Sequence, residues 1–66
     1  MQEHQQRVIA ESEELQNRLY RLSAFIADST SAFPKLDALE QTRLIRQRAI
    51  MGDYVNVLNE RIAAFK

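Results

Sequence analysis

No cysteine occurs among the 66 residues, which excludes disulfides, thiolate metal sites and thiol nucleophiles. A single histidine, His4, excludes a multi-histidine metal centre. One glycine, Gly52, and one proline, Pro34, are too few turn formers for a turn-rich all-β fold. No apolar run approaches the ~20 residues of a membrane span. The opening Met1-Gln2-Glu3-His4-Gln5-Gln6 lacks the basic start and apolar stretch of a secretory signal, so the expected location is the cytoplasm. Neither charge is in excess: 9 Lys+Arg stand against 9 Asp+Glu, which weighs against a general nucleic-acid binder. What remains is one small domain whose core rarely supplies more than about 3–5 kcal/mol, with no covalent or metal staple to help it. The remaining stabiliser is a partner chain.

The balanced charge is unevenly spread. Residues 1–17 carry one cation and four acids, residues 18–48 six cations and three acids, and residues 49–66 two of each. Seven of the nine cations are arginine, the side chain suited to bidentate carboxylate and phosphate contacts.

Apolar positions follow a heptad seam from the start: Met1, Gln5, Val8, Ser12, Leu15, Leu19, Leu22, Ile26. Glu14 and Arg18 stand four apart in the favourable order. Ser29, Thr30 and Ser31 compete with helix by bonding their own backbone, and Pro34 disfavours helix at Phe33. Asp37 is a candidate N-cap with Glu40 three residues on. A second seam then reads Gln41, Leu44, Arg48, Met51, Val55, Leu58, Ile62, Phe65. These signals predict one all-α domain over 1–66: a helix over about 2–28, a connection over about 29–36 in which Phe33 and Leu36 fold back over the hairpin, and a helix over about 37–65. A short connection makes the helices antiparallel, and facing residue numbers should sum to about 66.

Helix 2 carries a second apolar line, Ile50, Tyr54, Val57 and Ala64, beside its seam. That arc is wider than one partner helix can cover. It predicts an antiparallel two-helix hairpin assembling into an oligomeric helical bundle, with Ile50, Met51, Tyr54, Val55, Val57, Leu58, Ile62 and Phe65 at the oligomer interface. Gly52 is either a tolerated glycine where another helix comes close or a break before a third helix; the seam keeps phase from Met51 to Val55, which favours continuity.

Ser12 and Arg48 interrupt the seams. They serve either register control or a polar pocket between subunits. Arg18, Arg21, Lys35, Arg43 and Arg46 gather near the connection, as a solvated face or as an anion site. Tyr54 is expected beside the bundle with its hydroxyl near Ser12. Tyr20, off the seam, is a surface residue or a stacking platform. The candidate ligand-binding residues are therefore Arg18, Tyr20, Arg43, Arg48 and Tyr54. No nucleophile, base and orienting group come together, no Glu-x-x-His pattern exists, and no catalytic residue, metal ligand or cofactor is expected.

The run His4-Gln5-Gln6-Arg7-Val8-Ile9-Ala10-Glu11, then Glu14-Leu15 and Arg21-Leu22-Ser23-Ala24-Phe25-Ile26, resembles a group of small helical phage and prophage proteins with members in crAss-like and enterobacterial phages. Phe33, Leu36, Glu40, Leu44, Gln47, Met51, Tyr54, Leu58, Arg61 and Ile62 continue the likeness over nearly the whole chain. The resemblance implies a non-enzymatic phage protein that inhibits a host defence or regulatory pathway, either by binding a host protein or by sequestering a signalling nucleotide. A structural or scaffold oligomer and a small nucleic-acid-associated regulator are the alternatives.

Overall fold

In the computed structural model, which describes residues 2–65, helix α1 runs Glu3–Ala27, a 3₁₀ turn occupies Phe33–Lys35 and helix α2 runs Ala38–Ala63. Among the described residues there is no strand. The helices pack antiparallel into a rod of 46 × 17 × 14 Å. Val8 and Leu15 from α1 and Val55 and Leu58 from α2 form the buried core, with Leu19, Met51, Ile62 and Phe65 packed partly buried against it. Val8 and Leu58 sum to 66 and Leu15 and Met51 also do, so the heptad seams set the register. Ser12, the interruption in the first seam, is buried, and its hydroxyl accepts a hydrogen bond from Gln16 Nε2 at 2.9 Å. Burying a polar atom is tolerable only with such a partner.

The two expected edges of the connection have physical causes. At the end of α1 the Asp28 carboxylate accepts from the backbone N–H of Thr30 at 2.8 Å and from its hydroxyl at 2.6 Å. The Thr30 hydroxyl, then its N–H, holds the Asp28 carboxyl below its ordinary value. The Ser31 hydroxyl lies 2.7 Å from the Phe25 carbonyl and 2.8 Å from that of Asp28, donating between them. The Phe33 ring folds back edge-on to Phe25 at 6.0 Å between centroids. α2 then starts where Asp37 Oδ1 accepts from the Glu40 N–H at 2.9 Å, a cap that stabilises by about 1 kcal/mol.

Gln41 plays a part its place in the seam does not suggest. Its Nε2 faces the carbonyls of Phe33, Pro34 and Leu36 at 3.1, 3.3 and 3.0 Å. It ties the 3₁₀ turn to the first turns of α2. At the other end Gln5 does similar duty, its Oε1 accepting from the Gln2 N–H at 3.2 Å.

α2 passes through Gly52 without a break. The neighbouring helix expected there is absent from the chain: a Cβ added at Gly52 meets nothing within 4 Å.

Candidate functional site

Hollows of different electrostatics lie along α2. The first sits between the helices and is lined by Glu11, Glu14, Leu15, Arg18 and Tyr54, with a volume of about 80 Å³. The Tyr54 hydroxyl reaches across and donates to the Glu11 carboxylate. It does not meet Ser12, because Ser12 points into the core while Glu11, one residue earlier, is turned outward. This bond, then partial burial and the Glu11 charge, raises the Tyr54 pKa above its ordinary value, against an opposing pull from Arg61. Arg18, the one cation lining this hollow, is held by Glu14 at 2.5 Å. With two carboxylates, one neutralised cation and little volume, this hollow suits no anionic ligand of nucleotide size.

The second is a groove along α2 lined by Arg43, Arg46, Gln47, Ile50 and Met51, with a volume of about 280 Å³. These residues fall at i, i+3, i+4, i+7 and i+8, one face of a helix. Arg43 leans back on Glu40 at 3.0 Å. Arg46 enters no ion pair among the described residues, so its planar five-donor guanidinium is open to a carboxylate or phosphate. Ile50 and Met51 give the groove an apolar floor. The volume is close to the lower end of small-molecule pockets, about 300 Å³.

The structure does not gather the five expected ligand-binding residues into one site. Arg18 and Tyr54 line the first hollow and Arg43 the second. Arg48 is half-buried and lines neither. Tyr20 is 75% exposed and stands apart from both. Arg46 and Gln47 complete the groove; the spacing Arg43-x-x-Arg46-Gln47-x-x-Ile50 is the sequence signal for them.

The expected interface residues also divide. Val55 and Leu58 are buried inside the single hairpin, and Leu58 is 0% exposed, which corrects their assignment to a contact between chains. They face α1 directly, so the intrachain seam covers them. Met51, Ile62 and Phe65 pack half-buried around them. Ile50, Tyr54 and Val57 remain on the surface.

Among the described residues no group of three or more His, Asp or Glu is placed to hold a metal ion, and no helix is long and apolar enough to cross a membrane. A family model described as Sequestin matches residues 2–64. No curated protein and no solved structure matches the chain.

Proposed function

We propose, from the premise that the chain belongs to the Sequestin family, that it is a phage-encoded binding protein that sequesters a phosphate-bearing signalling nucleotide and so silences a host pathway. The observation that carries this reading is the pairing of an unneutralised Arg46 with Arg43 over the apolar floor of Ile50 and Met51. The free Arg46 guanidinium matches phosphate oxygens, with Arg43 beside it shared with Glu40, and an aliphatic floor takes a base or sugar face. The family name, which speaks of sequestration, agrees with a protein that holds its ligand rather than converting it. The binding is non-enzymatic, since the groove offers arginine, glutamine and aliphatic side chains and no general base.

Native mass spectrometry of protein purified gently from an expressing bacterium tests this first. Retained mass of nucleotide size, released chemically unchanged, is the expected result. Calorimetric titration with inorganic phosphate, a nucleoside diphosphate and a cyclic dinucleotide then identifies the class, and Arg46→Ala abolishes the heat. Bare protein, with no heat from any of the three, overturns the reading and favours capture of a host protein. Duplex-DNA binding that weakens steeply with salt favours the nucleic-acid alternative instead.

A further inference from the structure

We infer that Glu40 is an internal competitor for the groove: it holds Arg43 until a ligand presents a second anionic group, and so makes the groove selective for ligands with two such groups. The inference rests on the phosphate reading of that groove.

The two groove arginines stand in different states. Arg43 Nη1 lies 3.0 Å from Glu40 Oε1, while Arg46 enters no ion pair among the described residues. Both arginines line the groove, three residues and so about 4.5 Å of helical rise apart. Glu40 does not line it. In the other hollow the competing carboxylate, Glu14, lines the cavity itself, as does Glu11. Arg43 released from Glu40 therefore leaves a groove lined by two free cations and no acid, whereas Arg18 released from Glu14 still faces two acids.

The clasp is weak enough to open. Its side chains are 59% and 43% exposed, and an exposed pair at this spacing favours the paired state only about two- to fivefold. Glu40 is in the first turn of α2, its backbone N–H capped by Asp37 Oδ1 at 2.9 Å. A helix start attracts a negative side chain, so the Glu40 carboxylate keeps a stabilising neighbour when Arg43 leaves. A charge-assisted contact of guanidinium to phosphate is stronger than an exposed pair of this kind. A single anionic group is met by the open Arg46, and Arg43 stays on Glu40. A second group, one helical turn along, draws Arg43 away.

Nuclear magnetic resonance titrations of the full isotope-labelled chain test this, with a nucleoside diphosphate and with inorganic phosphate as probes. The Arg43 guanidinium signal should move with the diphosphate and stay in place with inorganic phosphate. Glu40→Gln keeps the side-chain shape and the Asp37 cap. It should tighten diphosphate binding about two- to fivefold and leave phosphate binding unchanged. The gain should vanish when Arg43→Gln is present in the same chain. A gain that persists there marks plain repulsion by the carboxylate and overturns the inference, as does equal tightening of both probes. Diphosphate binding that needs Arg46 but ignores Glu40→Gln overturns the inference and leaves the phosphate reading standing. Groove signals that move with neither probe overturn both.

Discussion

Tyr54 on α2 donates its hydroxyl hydrogen to the Glu11 carboxylate on α1, joining residues 43 positions apart in the chain. It is a polar tie across helices whose buried core is apolar, and it sets Glu11 opposite Tyr54 in their register. The tie lies at the edge of the core formed by Val8, Leu15, Val55 and Leu58.

Its loss has a pH signature. The bond raises the pKa of Tyr54 in the folded chain above its ordinary 10.0. The stabilisation is therefore whole below that value and is lost as pH rises through the folded value. Tyr54→Phe should lower the melting temperature at neutral pH and flatten the alkaline fall in stability. Circular dichroism melts between about pH 7 and 11 check both. An alkaline limb as steep in the variant as in the parent would assign the fall to other groups.

Leu58 carries the largest single share of the core, with no exposed surface. Leu58→Ala should cost about 2–5 kcal/mol, most or all of the stability expected of a chain this size. Asn59, the next residue, is exposed, and Asn59→Ala should change stability by about 0.5 kcal/mol or less. Urea melts of the two variants measure the contrast between adjacent positions on one helix.

Heptad spacing was sufficient to read the hairpin. It predicted the antiparallel packing that brings Leu15 and Met51 to one core, the cap at Asp37 and the ion pair of Glu14 with Arg18, because each depends on local periodicity or on a separation of three or four residues. It also divided the apolar arc of α2 into a seam with Val55 and Leu58 and a second line with Val57, but it assigned both lines to one oligomer interface, whereas the single hairpin buries Val55 and Leu58 and leaves Val57 outside. The rotation of α2 against α1 separated Arg18 and Tyr54 from Arg43, since residues close in a list of cations stand on different faces. Polar side chains were read least well: Ser12 was expected near Tyr54, yet one residue along a helix is a turn of 100°, and Glu11 holds that place.

Gln41 illustrates a role that periodicity conceals. It occupies a seam position, yet its amide serves the carbonyls of Phe33, Pro34 and Leu36, three groups of the connection between the α-helices. Gln41→Ala should cost about 1–2 kcal/mol, the net worth of one or two hydrogen bonds. Gln41→Glu should cost more, because a carboxylate of the same shape supplies no donor and faces three oxygens. Both should lower the urea midpoint with little change in its slope, since the surface exposed on unfolding is the same.

Gly52 gives the opposite sign. It lies inside a continuous helix, where glycine costs about 1 kcal/mol relative to alanine through the entropy of the unfolded chain. A Cβ there meets nothing within 4 Å, so no clash offsets the gain. By helical rotation Gly52 stands roughly 200° from Ile50, on the far side of α2 from the exposed Ile50, Tyr54 and Val57. Gly52→Ala should therefore stabilise the chain by about 1 kcal/mol, a rise of about 4–8 °C in melting temperature. Thermal melts measure the rise, and light scattering on the same samples reads the mass. Stabilisation assigns the glycine to a position that no other chain covers. A destabilised variant means that another chain closes on Gly52.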